Sequence, residues 1–297
     1  MQFTNKKLFI ISIITISLAV LLTNLWRFMP RSGNAERAVA LYTEILKDTI
    51  IIGEDFNSLT TTLGYYPAKK VSENPLIAAL MLRLLIDAGI TNDTVVAINA
   101  SGSFPGYTLA MLSACSILGA ETYVIASIGS SSYGANIFGN TIADILLQDN
   151  VRHLGHTLLA ITPGGTNDMG RSLDEDEIER IRILLIENNI PFMRPLNLED
   201  AIDLRISLFS DFGSNILVNI GGSHASTASN LDLDLMAGVI TQEQTGTFND
   251  YGLVQHFINS DLPVIQILNL RLLFANYGLS FDEHGNIIGN TGFLFMD

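Results

Sequence analysis

The sequence predicts a three-layer α/β domain around a mostly parallel sheet, preceded by one N-terminal transmembrane helix. Three observations lead there. Short apolar runs of strand character alternate with stretches of helical period. Four of those runs end in loops of Gly, Ser, Thr and Asn. The run Leu8 to Trp26 carries no charged side chain, and at about 1.5 Å per helical residue it spans about 28 Å, close to a bilayer's hydrocarbon core.

The first element is that apolar run, which follows Lys6-Lys7. A cleaved signal peptide would need small residues at its end, but the run closes on Asn24-Leu25-Trp26-Arg27-Phe28-Met29-Pro30. The only cysteine, Cys115, lies far downstream, so no lipid-attachment cysteine follows. Trp26 beside Arg27 suits an interfacial anchor, and the positive-inside rule narrowly places the N-terminus inside. The expected organisation is an anchor over residues 1–31 and an α/β domain over 32–297. The protein is then single-pass in the cytoplasmic membrane, with its domain outside.

Residues 34 to 48 read as an amphipathic helix, with Ala38, Leu41, Tyr42, Ile45 and Leu46 on one stripe. The stretch after Ile52 to Lys70 fits no period and reads as an ordered loop. Asn74-Pro75 opens a helix that Gly89 ends. Strands then follow over Thr94–Asn99, Glu121–Ser127, His156–Ile161, Asn215–Ile220 and Pro263–Leu268, with a short one over Ile190–Met193. Helices fall over Pro105–Ile117, Asn140–Gln148, a stretch to Glu187 opened by a capping box at Ser172–Glu175, Asn197–Phe209, a stretch to Asn259, and Leu270–Tyr277. Residues up to Asp250 after Ile220 read as a long polar loop, and His284–Asp297 as a partly flexible polar tail. Alternating strands and helices imply right-handed βαβ crossovers, a Rossmann-like sheet with helices on both faces.

The chain carries −14. Residues 1–31 hold four basic and no acidic residues, which leaves −18 for the remainder. Such a domain does not bind nucleic acid through a general field, and at long range it repels polyanions. A lone cysteine leaves the redox compartment unreadable.

In an open α/β sheet the ligand crevice lies outside the carboxyl ends of the strands. Here those ends carry Ala100–Gly106, Ile128–Asn136, Thr162–Asp168 and Ile220–His224. Backbone amides and hydroxyls in such loops can cradle an anion. The candidate ligand contacts are Ser101, Gly102, Ser130, Ser131, Tyr133, Asn136, Gly164, Gly165, Asn167, Gly221, Gly222 and Ser223. Lys69 and Lys70 are added as cations for a carboxylate or phosphate. The plainer alternatives are glycines that serve tight turns and a solvated lysine pair.

Named motifs fail informatively. Gly129 to Gly134 has P-loop glycine spacing, but Ala135 and Asn136 stand where Lys and Ser/Thr are needed. No G-x-G-x-x-G, H-E-x-x-H or C-x-x-C occurs, so no cofactor and no standard zinc site is specified. Ser103 could be a nucleophile with His224 as base and Asp168 as orienter, although a serine before a helix is usually a cap. Asp168 with Asn167 and Thr162 could hold a hard cation, against a plain turn role. His153 and His156 lack a third ligand, and Asp174–Glu177 suits an acidic first helical turn.

Several segments carry a resemblance: TTTLGYYPAKKVSENP, VVAINASGSFPGYTLAMLSA, VIASIGSSSYGANI, GGTNDMG, VNIGGSHAS and PVIQILNLRLLFANYGLSFD. Together they resemble the poly-gamma-glutamate system protein family, over most of residues 34–282. The resemblance implies a process, making or exporting a gamma-linked glutamate polymer at the bacterial cell surface, as in capsules. It implies synthase or export subunits as partners, and supplies neither a reaction nor site residues. Three functions follow. The first is an accessory protein binding an anionic ligand or polymer end at the strand-end loops. The second is a serine-dependent hydrolase or transferase on gamma-glutamyl bonds. The third is a degenerate nucleotide-binding domain.

Overall fold

The computed structural model describes residues 33–296. The membrane span expected over Leu8–Trp26 lies outside the described residues. Among those described, no helix is long and apolar enough to cross a membrane.

The α/β expectation holds. The central sheet has six strands: β1 (Val95–Ser101), β2 (Glu121–Ser127), β3 (Thr157–Thr162), β4 (Ile216–Ile220), β5 (Gly238–Ile240) and β6 (Val264–Ile267). Their spatial order is β3-β2-β1-β4-β6-β5, parallel throughout except for β5, which runs antiparallel to β6 at the edge. The chain steps outward from β1 to β3, then returns to place β4 on the other side of β1. The order therefore reverses between β1 and β4, and that is where an open α/β sheet leaves a crevice.

The principal helices are α1 (Asn34–Asp48), α2 (Tyr66–Lys70), α3 (Leu76–Asp87), α4 (Pro105–Leu118), α5 (Ile142–Leu147), α6 (Glu175–Glu187), α7 (Leu198–Asp211), α8 (Leu253–Asn259) and α9 (Leu270–Asn276). Strand alternation splits the core in two. Val96, Ile98, Val124, Val218 and Ile265 join the larger cluster with α1, α3, α4 and α9. Ala97, Ile125, Leu217 and Val264 join the smaller one with Phe209 of α7 and Val254 and Phe257 of α8. Towards the carboxyl ends, that second face turns polar while staying buried, with Asn99, Ser127, Thr162, Asn219 and Gln266.

Local signals explain most boundaries. Asn74 Oδ1 accepts the Leu76 N–H at the start of α3. Asn197 caps α7 by accepting from Asp200. A capping box between Thr141 and Asp144 opens α5.

Five expectations are corrected. The cap of α6 is Asp174, whose carboxylate accepts the Glu177 N–H, and not a Ser172 box. Ile190–Met193 forms only an isolated bridge, Phe192 to Ile161. The supposed loop before Lys70 holds a strand over Thr60–Thr62, paired with Ser130–Ser131, and then α2. The polar stretch after Ile220 holds three short helices and β5. The polar tail is folded: Leu279–Phe281 pairs with Ile287–Gly289, and Leu294 is buried. Its polarity belongs to the turn, where Asp282 accepts from the His284 and Asn286 amides.

Candidate functional site

Helix α2 is short, and its position is set by contacts from below. Tyr42 Oη lies 2.7 Å from Ser72 O and 2.9 Å from Gly106 O, which ties the turn after α2 to the start of α4. Tyr107 Oη donates to Ala68 O at 3.1 Å. A methyl at Gly106 would come within 2.3 Å of Ser72 Oγ, so only glycine admits this approach. From above, Gly285 of the tail turn (φ 78°) presses on the Lys70–Val71 backbone, where a methyl would sit 2.7 Å from Val71 N.

This seating turns Lys69 inward. It is 3% exposed. Its Nζ donates to Ser103 O, lies 2.8 Å from Ser131 Oγ, and sits 3.6 Å from the centre of the Phe104 ring. No carboxylate pairs with it among the described residues. Burial holds its pKa well below the ordinary lysine range. The ring face favours the ammonium by about 0.5–2 kcal/mol. Desolvation outweighs that attraction and sets the direction of the shift.

Lys69 lines a cavity of about 410 Å³. Ser103 and Phe104 after β1, Ser131, Gly222 after β4 and Asn269 after β6 share its wall, together with Phe281 of the tail hairpin. The cavity therefore opens at the reversal point between β1 and β4. At its mouth the exposed Arg271 places its guanidinium 4.8 Å from the centre of the Tyr65 ring. It too has no carboxylate partner among the described residues. The sequence reading missed Arg271. Its signal was available, because Pro263–Leu268 reads as a strand and Arg271 follows its carboxyl end, but the stretch was read as a helix start.

Of the expected site residues, the structure brings Lys69, Ser103, Ser131 and Gly222 to this cavity. Lys70 is corrected: it faces solvent and pairs with Glu73. Most of the others hold loops to one another. Ser130 Oγ donates to Gly102 O at 3.0 Å, and Gly102 O also accepts the Ala135 amide at 2.7 Å. The Ser131 amide donates to Ser103 Oγ at 3.0 Å. Asn136 is fully buried and clamps Glu54 through both ends of its amide. Tyr133 packs edge-on to Tyr66. A methyl at Gly164 would fall 2.8 Å from Gly129 N, and one at Gly221 2.2 Å from Ser101 Oγ. Gly165, with φ 72°, leads into the turn bearing Asn167. The glycines among them permit close crossing of backbones.

The serine triad is not assembled. Ser103 lines the cavity with Lys69, while His224 lines a neighbouring one with Ser223, Thr227 and Asp234. No hydrogen bond joins Ser103, His224 and Asp168 among the described residues. His224 Nδ1 accepts the Asn167 amide at 3.2 Å. Ser223 Oγ is 2.7 Å from Ser226 Oγ.

Asp168 is fully buried and committed to Arg205, itself fully buried on α7. Arg205 Nη1 lies 2.8 Å from Asp168 Oδ2, off the line of a hydrogen bond, and donates to Ala201 O at 2.8 Å. Its Nη2 donates to Ser127 and Thr162 hydroxyls, both at 3.0 Å, and its Nε to Asn99 Oδ1 at 2.9 Å. Asp168 Oδ1 accepts from Thr162 at 3.0 Å and from Ser127 at 3.2 Å. The network continues through Asn99, Asn219 and Gln266 to Leu233 O. Asn167 and Asp168 are both left-handed (φ 55° and 62°), a strained pair that this anchoring holds in place. A cation at Asp168 is displaced by the guanidinium already there, and no metal-ligating cluster occurs among the described residues. His156 is half-buried with Nδ1 unpartnered, and desolvation pulls its pKa down to about 4.

No protein-family profile matches the chain, and neither does any curated protein. Among solved structures it shows partial similarity to a hydrogen sulfide-producing enzyme from Fusobacterium nucleatum. Identity there is 14%, over 61% of this chain and 55% of that one, at a TM-score of 0.23. The chain thus spans about half the length of that enzyme. An O-ureido-L-serine synthase is 12% identical over 81% of this chain and 82% of its own, at 0.22. A pyridoxal 5′-phosphate-dependent aspartate racemase is 11% identical over 79% and 61%, at 0.18. At these scores the superpositions do not assign the chain to their families.

Proposed function

We propose that this protein is an accessory component of poly-gamma-glutamate biosynthesis or export, and that its reversal-point cavity binds a carboxylate ligand, the polymer end or a small anionic precursor. The process rests on the sequence resemblance. The binding mode rests on one observation: Lys69 at the wall and Arg271 at the mouth of a single cavity both lack a carboxylate partner among the described residues, in a chain of net charge −14. Acidic chains have carboxylates to spare, so two basic side chains left without one beside a single hollow, Arg271 as a charge and Lys69 as a hydrogen-bonding amine, mark where a ligand's anionic groups go. About 410 Å³ is the size of a small-molecule site. The surrounding negative field opposes a polyanion at distance, so recognition is local and weakens with salt less than a surface pair would. The single-pass anchor over residues 8–26, with the domain outside the cytoplasmic membrane, belongs to the same proposal, as do synthase or export subunits as partners.

The test is a titration of the full-length protein in detergent with gamma-linked glutamate oligomers, read by thermal shift and calorimetry. Binding is expected, and Arg271→Gln is expected to weaken it about tenfold, or ~1.4 kcal/mol. A melting temperature unmoved by millimolar oligomers overturns the reading. A reporter fused beyond Asp297 checks the topology, and cytoplasmic signal contradicts the proposed orientation.

A further inference from the structure

Lys69 presents a combination that simple anion binding does not require. A cation meant only to attract a carboxylate works best exposed and charged, as Arg271 is. Lys69 is instead 3% exposed, set against an aromatic ring, and given two oxygens, Ser103 O and Ser131 Oγ, within hydrogen-bond reach. A neutral amine has two N–H donors and one lone pair. Two acceptors satisfy those donors and leave the lone pair for an electrophile. Lys69 is among the residues lining the cavity, so an electrophile entering it meets this side chain. Desolvation in an apolar pocket is how lysines are made nucleophilic towards carbonyl groups.

We infer that Lys69 is a carbonyl-capturing amine, which forms an imine with a small aldehyde or ketone whose anionic group is held by Arg271. In this step Nζ attacks the carbonyl carbon, giving a carbinolamine. The carbonyl oxygen then leaves as water, carrying away the two amine protons. No oxidant or second reactant is consumed, and hydrolysis reverses it. Ser131 Oγ, 2.8 Å from Nζ, is placed to relay a proton between amine and departing oxygen. Ligand chemistry is thereby narrowed to an anionic carbonyl compound, carrying a carboxylate or a phosphate. The inference deepens the anion-site reading and rests on it for the role of Arg271 alone.

The experiment is reductive trapping on the full-length protein at pH 7. Three probes are used separately, each with sodium cyanoborohydride: glyoxylate, glyceraldehyde 3-phosphate and the uncharged propanal. Adducts are mapped by peptide mass spectrometry. Lys47 and Lys70, exposed and paired with Glu44 and Glu73, serve as internal controls. Lys69 is expected to be modified at least tenfold more than either control, and Lys69→Arg is expected to abolish that product while Ser131→Ala slows it with no loss of melting temperature. Labelling of Lys69 no greater than that of Lys47 with all three probes overturns the inference. Whichever of the two anionic probes outpaces propanal, with the preference lost in Arg271→Gln, identifies the anion as carboxylate or phosphate. Trapping at Lys69 that is equal for all three probes supports the imine but overturns the anion-site reading, so the two can fail separately.

Discussion

Arg205 and Lys69 are both withdrawn from solvent, at 0% and 3% exposure, yet they are surrounded in opposite ways. Arg205 has a carboxylate at 2.8 Å and gives hydrogen bonds to four further oxygens. Lys69 has two neutral oxygens and a ring. A planar five-donor guanidinium can be fully satisfied inside a protein, and here it staples α7 and the β3 loop to the polar face of the sheet. An ammonium with no counter-ion cannot, so that site is unsatisfied as a cation and workable as an amine. The contrast separates a buried charge that serves the fold from one that is left for something else.

The comparison is sharpest in stability. Replacing Arg205 with Met leaves Asp168 buried without its partner, which should cost about 3–5 kcal/mol in chemical denaturation. Loss of less than about 1 kcal/mol would show that the network is not structural. pH offers the next test, because two desolvated bases leave signatures of the same sign in different pH windows. His156 has its pKa pulled from 6.5 to about 4, so the unfolded chain takes up its proton first as pH falls. Stability should therefore fall between about pH 6.5 and about pH 4, by about 3 kcal/mol, and His156→Gln should flatten that slope. Lys69 is also depressed, below its usual 10.5, so it opposes folding where the unfolded chain alone is protonated. Stability should rise as pH climbs towards 10.5, and Lys69→Met should remove the rise. The smallest effect is expected for Lys69→Met at neutral pH, within about 1 kcal/mol of the parent, since a desolvated amine is exchanged for an apolar chain of similar length. A loss as large as that for Arg205 would collapse the distinction.

Much of the fold was legible because its signals are local. β2 matches the expected span, and the carboxyl end of β4 and the start of α4 do too, since apolar runs and caps are properties of neighbours in sequence. The site was legible only in outline. Strand-end loops pointed to the edge of the sheet where the cavity lies, but their hydroxyls and amides bond across to other loops, and such partners are far apart in the chain. Ser103 and Ser131 illustrate this: their hydrogen bond spans 28 positions. The burial of Lys69 was invisible for the same reason. It depends on Tyr42, Tyr107 and Gly285, none of which is near it in sequence. Asp168 reads from the sequence as an orienter, a cation ligand or a turn residue, and its ion pair with Arg205 was hidden because Arg205 on α7 looks like any surface helix arginine.

The hairpin bearing Gly285 and Phe281 touches the backbone just after Lys69 and walls the cavity beside it. These segments meet only after nearly the whole domain has been synthesised, so the hollow is among the last features a nascent chain can complete. A chain clipped before this hairpin would keep its sheet yet leave the cavity without one of its walls. A side chain buried by so distant a segment has its chemistry decided last, when the hairpin docks.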